Sequence, residues 1–289
     1  MKLLYLDNNA LIYLFEHCNR DDLAAYEILT REQGVQPIVS LNNLIEICQS
    51  PSKEQALSLA TYIDAMNVLW LEWYIDVQQS ELKAFLSESY FNNKADSYSP
   101  VRSTLSQLFY DGGQTLPLGL TAMAFVECTY GSQHMNEFKK KHSQHADILK
   151  QNQFHRKQGD FTVNVETIAL NNYLVSRIPQ HSPDHRKLSL LERRDIIKFC
   201  LENRKLIFNR CPSIAAEFYL SDYRSANVNR RRRNSDSEDL VFACVALPYV
   251  DYLVTNDSYL KTGLDYAKKT LGNSKVNIYR KVSDINLTG

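Results

Sequence analysis

Four acidic residues that are far apart in the sequence stand in local settings that could bring them together: Asp7, Glu46, Asp239 and Asp257. Asp7 and Asp257 each follow a short apolar run typical of a buried strand. Glu46 and Asp239 lie in segments whose apolar residues have helical spacing. Ligand sites of open parallel sheets form beyond the carboxyl ends of the strands. One edge of such a sheet would therefore gather all four carboxylates.

Carboxylates that share a site repel one another, and this repulsion raises their pKa values unless a cation neutralises them. Mg²⁺ and Mn²⁺ are hard ions that bind oxygen ligands and keep several water molecules. One or two such ions could activate a water molecule and stabilise the leaving oxygen of a phosphodiester. The alternative for any single Asp is a helix cap, which contributes about 1 kcal/mol to stability.

The segments that carry these acids alternate between strand and helix. Lys2 to Leu6 predicts a strand that delivers Asp7, and helical spacing begins at Asn9. A second strand, 36–40, precedes the helix of Glu46. Near the other end, a helix opened by Asp239 leads into a strand at 252–255, and 276–279 predicts one more strand. This alternation predicts a parallel sheet with helices on its faces.

The middle of the chain, from about 53 to 220, has a different pattern. Helical spacing dominates, and strand signals are sparse; the helical segments are 54–71, 79–87, 118–141 and 192–208. We therefore expect one α/β domain over 1–289 with a parallel central sheet. Its α/β core would comprise about 1–52 and 221–289. A large helical elaboration at 53–220 would be inserted between the N- and C-terminal parts.

The four acidic segments resemble the motifs of the PIN-domain nucleases. In that family an apolar strand runs into Asp-x-Asn, a helix carries a Glu, a later Asp opens a helix, and a strand ends in Thr-x-Asp. The matching segments here are 4–12, 40–46, 239–247 and 252–257, in the family's order. The resemblance covers about the first 50 and the last 60 residues. The gap between Glu46 and Asp239 is much longer than in compact family members.

The resemblance implies a PIN-like three-layer fold and a Mg²⁺- or Mn²⁺-dependent endonuclease, most often acting on RNA. It assigns as metal-binding and catalytic acids Asp7, Glu46, Asp239 and Asp257. Asn9 matches the residue that supports the first Asp, and Thr255 matches the small polar residue before the last one. A toxin or defence effector restrained by an inhibitory protein partner would suit a hazardous activity of this kind.

Asp236 is an alternative to Asp239, because it lies three residues earlier and could share the same helix face or cap the helix. Asp239 fits the pattern better, since the apolar helix follows it directly. Asp251 stands in a turn and is expected to shape that turn.

A dense basic block precedes Asp236 and consists of Arg224, Arg230, Arg231, Arg232 and Arg233. The planar guanidinium of arginine suits bidentate contacts with phosphate. Such contacts would fix the position of a nucleic acid without reading its sequence. The alternative is a solvated surface loop.

Composition excludes several classes of protein. Lys and Arg number 33 and Asp and Glu also 33, so the chain is not a basic protein that coats nucleic acid by bulk charge. Hydrophobic residues make up 44%, which is typical of a folded protein rather than a disordered one. The six cysteines lack metal-ligand spacing, and the apolar run before Asp7 is too short for a signal peptide. We therefore expect a cytoplasmic protein with reduced cysteines and no membrane span.

Three functions remain open from the sequence. An endoribonuclease is favoured, so RNA is the expected partner ahead of DNA. A structure-specific DNA nuclease is the second candidate. The third is a PIN-like scaffold that binds RNA or protein without cleavage, and homo-oligomerisation is open for each of them.

Overall fold

The computed structural model describes residues 1–16, 19–95, 97–109, 119–133, 135, 137, 170–171, 174–227, 235–272 and 274–285, with the backbone alone for 235–238. Within these ranges the centre is a six-stranded sheet of order β4-β3-β2-β1-β5-β6. The strands are Leu3–Leu6 (β1), Gln36–Ser40 (β2), Leu69–Leu71 (β3), Val101–Arg102 (β4), Tyr252–Val254 (β5) and Asn277–Tyr279 (β6). Neighbouring strands are parallel except for the β3–β4 pair. The predicted α/β class is confirmed, and the sheet that was predicted to be parallel is mostly so.

Helices surround this sheet. They are Asn8–Phe15 (α1), Arg20–Glu27 (α2), Leu41–Ile47 (α3), Lys53–Ala65 (α4), Tyr74–Ser89 (α5), Ala122–Thr129 (α6), Leu190–Glu202 (α7), Arg204–Arg210 (α8), Pro212–Ala226 (α9), Ser235–Tyr249 (α10) and Ser258–Leu271 (α11). A π-helical turn, Ile28–Glu32, continues α2, and 3₁₀ turns occur at Leu105–Phe109 and Val282–Asp284.

Both faces of the sheet are buried, because successive strand residues point to opposite sides. Leu4 and Leu6 of β1 join an apolar cluster formed with α1 to α4 and α6. Leu3 and Tyr5 of the same strand join a second cluster on the other face, formed with α5 and α9 to α11. This arrangement is compatible with a three-layer α/β fold.

A third apolar cluster lies within the helical part of the chain. Leu82, Phe85 and Leu86 of α5 pack there against residues of α7 and α8 and against Ile214 of α9. Helix α5 thus contributes Val77 to the core below the sheet and its later turns to this separate core. The helical elaboration is therefore anchored to the α/β core through α5 and α9.

The middle of the chain also supplies two strands, which the sequence pattern did not predict. The expected helix over 54–71 ends at Ala65, where Asn67 adopts a positive φ of 51° and turns the chain. Trp70 and Leu71 then enter opposite apolar clusters as part of β3. The sheet therefore includes two strands, β3 and β4, from beyond residue 52, where the first part of the core was predicted to end.

Three predicted helices also differ in their limits. Helix α10 begins at Ser235, four residues before the expected start at Asp239. The sequence pattern missed this first turn because its residues are polar and show no apolar spacing. The helix expected over 192–208 is divided into α7 and α8 at Asn203. Residues 118, 134, 136 and 138–141 of the helix expected over 118–141 lie outside the described residues, and α6 within it ends at Thr129.

The strand order reverses beside β1. The chain passes from β1 to β2 and β3 on one side, and the later strands β5 and β6 lie on the other side. A reversal of this kind leaves a crevice outside the carboxyl ends of the two central strands, where open α/β sheets bind ligands. The ends of β1 and β5 therefore mark the natural position of a site.

Asp251 supports the opposite edge of the sheet, as expected for a turn residue. Its carboxylate Oδ2 accepts a hydrogen bond of 2.8 Å from the backbone N–H of Leu3, and its carbonyl accepts one from Asn277. The turn thus joins the first residues of β1 to β5 and β6.

No helix among the described residues combines the length and apolar character needed to cross a membrane.

A buried carboxylate lies where α5 meets α9 and α10. Glu81 accepts hydrogen bonds from the Ser213 hydroxyl (2.6 Å), the Ser213 backbone N–H and the Tyr249 hydroxyl (2.6 Å). Burial raises the pKa of Glu81 to about 7, although these donors act in the opposite direction. Its proton therefore binds more tightly in the folded chain than in the unfolded chain.

We predict that Glu81→Gln removes a pH dependence of stability. With its pKa raised to about 7, Glu81 contributes stability that is fully present below its unfolded pKa and lost as the pH rises towards 7. The loss is about 3 kcal/mol. Between pH 4.5 and 8, the free energy of unfolding measured with urea should therefore rise by about 3 kcal/mol in the variant relative to wild type. Glu127→Gln, at an exposed residue of α6, is the matched control. If the free energy of unfolding changes with pH in the same way for Glu81→Gln and wild type, the prediction is contradicted.

Candidate active site

Asp7 stands at the junction of β1 and α1. Its carboxylate Oδ1 accepts a hydrogen bond of 2.7 Å from the backbone N–H of Ala10, so Asp7 is the N-cap of α1. The side chain is buried, at 3% exposure. A cap uses only part of a carboxylate, which has two oxygens and about four lone-pair sites. The role of a cap and the role of a ligand are therefore compatible at this residue.

Asp257 occupies the equivalent position after β5. Its Oδ1 accepts hydrogen bonds from the backbone N–H groups of Tyr259 (2.7 Å) and Leu260 (2.9 Å), so it caps α11. The backbone N–H of Asp257 in turn donates to Thr255 Oγ1 at 3.2 Å. Thr255 is fully buried. The end of β5 and the start of α11 thus form one hydrogen-bonded unit.

The register of the sheet sets these two junctions side by side. Leu6 pairs with Val254, and the backbone N–H of Asp7 donates to the Val254 carbonyl at 3.0 Å. The Thr255 side chain is hydrogen-bonded to the Asp7 carboxylate. Asp7 and Thr255 are consequently neighbours across β1 and β5, as the crevice between reversed strands requires.

The electrostatics of Asp7 reflect this setting. Burial raises the pKa of Asp7 to about 6, and the negative charge of Asp257 adds to the rise. The hydrogen bonds from Thr255 and from the N–H of Ala10 favour the ionised form and oppose this rise. Asp7 is therefore a carboxylate that a nearby cation would stabilise in its charged state.

A third junction, between β2 and α3, is tied to β1 by Asn43. The Oδ1 of Asn43 accepts from the Tyr5 hydroxyl and from the Ser40 backbone N–H, each at 2.8 Å. Its Nδ2 donates to the Leu6 carbonyl at 3.3 Å and to Asn8 Oδ1 at 3.1 Å. All of these groups are buried, so Asn43 fixes the start of α3 relative to the end of β1.

Glu46 lies one turn farther along α3 and is held by two asparagines. Asn8 Nδ2 donates to Glu46 Oε2 at 2.5 Å, and Asn42 Nδ2 donates to Glu46 Oε1 at 2.7 Å. The Asn8 amide therefore connects the first turn of α1 to the carboxylate of α3. Burial raises the pKa of Tyr5, and the charges of Glu46 and Asp7 add to this rise.

Asp239 approaches the same sheet edge from α10. The C-terminal end of α10 leads through Asp251 into the amino edge of the sheet, so its N-terminal end lies towards the carboxyl edge. Phe242, one turn after Asp239, stacks on Tyr5 with ring centroids 5.3 Å apart. Asp239 is 23% exposed, and its Oδ2 lies 3.6 Å from Arg224 Nη2.

Arg224 was predicted to bind nucleic acid, and the structure places its side chain inside the fold. Its side chain is 3% exposed and is paired with Asp239 across α9 and α10. The guanidinium therefore compensates the charge of an acid inside the fold instead of extending into solvent. The other arginines of the basic block, Arg230, Arg231, Arg232 and Arg233, lie outside the described residues, as does the side chain of Asp236.

The four predicted acids thus share one edge of the sheet without forming one tight cluster. Asp7 and Asp257 interact with each other, Glu46 is held by asparagines, and Asp239 is paired with Arg224. Among the residues whose side chains are described, no group of three or more His, Cys, Asp or Glu residues is arranged to hold a metal ion.

The asparagine of α1 that contacts an acid is Asn8, whereas the resemblance pointed to Asn9 as the residue that supports the first Asp. Asn9 is exposed on α1, while Asn8 is buried and contacts both Glu46 and Asn43. Tyr5 and Asn43 were not predicted as site residues either. A signal was present, because asparagine is unfavourable inside a helix. The pairs 8–9 and 42–43 each lie in the first turn of a helix that follows a strand.

We predict that Asn43→Ala destabilises the fold by about 3 kcal/mol, because it removes the acceptor of the buried Ser40 N–H and leaves the Tyr5 hydroxyl with Ser40 Oγ as its remaining partner. Tyr5→Phe, which removes one hydroxyl and leaves no orphaned amide, should cost less, about 1 kcal/mol. Urea unfolding measures both. Asn277→Ala, at an exposed asparagine of β6, should change stability by less than about 0.5 kcal/mol. Equal losses for Asn43→Ala and Asn277→Ala would refute this role of Asn43.

Comparison with known proteins adds no family to this geometry. No protein-family model matches the chain, and neither the curated proteins nor the solved structures compared with it give a significant match. The sheet topology and the contacts at its carboxyl edge are therefore the basis for assigning a function.

Proposed function

We propose that the protein is a PIN-like, metal-dependent endonuclease that hydrolyses phosphodiester bonds, with RNA as its substrate. One observation carries the proposal: Asp7 and Asp257 follow the two strands at which the strand order reverses, with Glu46 and Asp239 on elements that reach the same edge. This is where open α/β sheets bind their ligands. The order of the acidic motifs along the chain supports the PIN-like assignment.

The donor set suits Mg²⁺ or Mn²⁺, which prefer carboxylate oxygens. Asp7 is buried beside Asp257, and both burial and the neighbouring charge raise its pKa to about 6. A cation between these residues would relieve both effects. Mg²⁺ keeps several of its waters, so carboxylates that are not in one tight cluster can hold it through water molecules.

Each acid has a distinct part in this proposal. Asp7 and Asp257 would hold the ion from adjacent strands, and the Thr255 hydroxyl would keep Asp7 ionised and oriented. Glu46, fixed by Asn8 and Asn42, would position the attacking water and accept its proton at a carboxylate oxygen. Asp239 would complete the site and be oriented by Arg224. The ion would act as a Lewis acid and lower the pKa of the attacking water.

The substrate backbone would meet positive potential from two sources. Helices α1 and α11 both direct their N-terminal ends towards the crevice, and helix N-termini favour phosphate groups. The arginines Arg230 to Arg233 directly precede α10 in the chain, close in sequence to Asp239. They would contact phosphates without reading the base sequence.

We predict that Asp7→Asn reduces Mg²⁺- or Mn²⁺-dependent cleavage of single-stranded RNA by about 100-fold or more, since losing one ligand removes several kcal/mol of charge stabilisation. Asparagine still caps α1, so the fold should persist. Mn²⁺ should raise the melting temperature of wild type and not of the variant. Asp265→Asn, at an exposed residue of α11 that pairs with Lys261, is the matched control for both measurements.

Three outcomes would overturn parts of the proposal. Undiminished cutting by the double variant Asp7→Asn, Asp239→Asn would remove the acids from the reaction. Preferential cutting of branched duplex DNA over RNA would replace the substrate. Binding of RNA that survives EDTA, without any metal-dependent product, would identify a scaffold that does not cleave.

A biological role as a toxin or defence effector, restrained by an inhibitory protein, is part of the same proposal. A free ribonuclease of this kind would damage the RNA of the cell that makes it. We predict that expression of the wild-type chain slows growth and that Asp7→Asn relieves the effect at equal protein levels. Normal growth with an enzyme shown to be active would argue against this role, and Asp265→Asn again serves as the control.

A further inference from the structure

A cavity of about 240 Å³ opens beside the acidic edge, between α1, α3 and α4. Its walls are mainly apolar and include Ile12, Phe15, Ala56 and Leu59. Asn8 and Glu46 line the same cavity. Two residues of the candidate active site are therefore also part of this second space.

The lining selects against a charged phosphate. No lysine, arginine or histidine is among the described residues that form the cavity, and Glu46 would repel an anion. Apolar walls with an aromatic ring, Phe15, instead favour a neutral and planar group. Aromatic side chains contribute about 1–3 kcal/mol when they stack with a base.

Polar groups are present at the rim to meet the edge of such a ring. Gln55 is exposed, and its Oε1 accepts from Ser50 Oγ at 3.5 Å while its Nε2 donates to Glu16 at 3.3 Å. An amide oxygen has a second lone pair and an amide nitrogen a second hydrogen. Gln55 can therefore keep its present contacts and still form hydrogen bonds with a base.

We propose that this cavity binds one unpaired nucleobase of the substrate strand. The inference rests on the proposed function, because it places the neighbouring phosphodiester beside Glu46 and Asp7. A base within a duplex is stacked and paired and cannot enter the cavity without being extruded. The substrate class is therefore single-stranded nucleic acid, with a base held on the α1–α3–α4 side of the acids.

The test compares two ligands of equal charge, a fluorescein-labelled single-stranded RNA hexamer and an abasic hexamer with the same phosphodiester backbone. Binding is measured by fluorescence anisotropy with Mg²⁺ in an Asp7→Asn background, so that the strand is not cut. The intact hexamer should bind about tenfold more tightly than the abasic one, which corresponds to about 1.4 kcal/mol. Pairing the intact hexamer with a complementary strand should abolish its tighter binding, because its bases are then stacked and paired.

Ala56→Leu, added to that background, fills the cavity and should remove the preference for the intact hexamer. Phe15→Leu removes the stacking ring with a smaller change of volume, and it serves as the second variant if Ala56→Leu does not fold. Ala124→Leu, on α6 outside the cavity, is the matched control and should keep the preference. Circular dichroism and melting temperature verify that each variant is folded.

The outcomes separate this inference from the proposed function. Equal binding of the intact and abasic hexamers by the Asp7→Asn protein, or an unchanged preference in both folded cavity variants, would overturn the base site even if wild type cleaves RNA. A preference lost only in the cavity variants supports the base site. This conclusion would hold even if wild type produced no metal-dependent product and the proposed function failed.

Discussion

The geometry at the carboxyl edge of the sheet depends on the hydrogen bonds of the Asn43 side chain. It is a single buried amide, and it bonds to β1, to the cap of α3 and to the first turn of α1. A buried amide must satisfy both its donors and its acceptor, so the elements around it have little freedom to shift. Glu46 inherits its position from this network through Asn8. The carboxylates are thus positioned mainly by neutral side chains.

The same edge illustrates how one residue can serve both stability and chemistry. Asp7 and Asp257 are N-caps, and capping alone would explain an aspartate at either position. What distinguishes them is that the parallel register places two caps on adjacent strands, so that their charges interact. A cap with another acid beside it is less stable as an anion than an isolated cap. This unfavourable interaction between the two carboxylates lies at the point where the strand order reverses.

Much of the α/β core was predictable from the sequence. The strands before Asp7 and Asp257 and the helix of Glu46 follow from local apolar patterns, because their side chains alternate or repeat with a regular period. The strand β3 escaped prediction because it is only three residues long and follows a helix of similar apolar content. Contacts between distant residues, such as Arg224 with Asp239, depend on how α9 packs against α10 and leave no local pattern. The roles of Asn8 and Asn43 also depend on partners that are remote in sequence.

The sheet ends on both sides in very short strands. β4 has two residues and runs antiparallel to its neighbour, and β6 has three. A long open edge would offer unpaired backbone groups to a strand of another molecule, which is a route to aggregation. Edges of this length give such a strand little to pair with. Within the described residues, the sheet is therefore a poor template for growth from molecule to molecule.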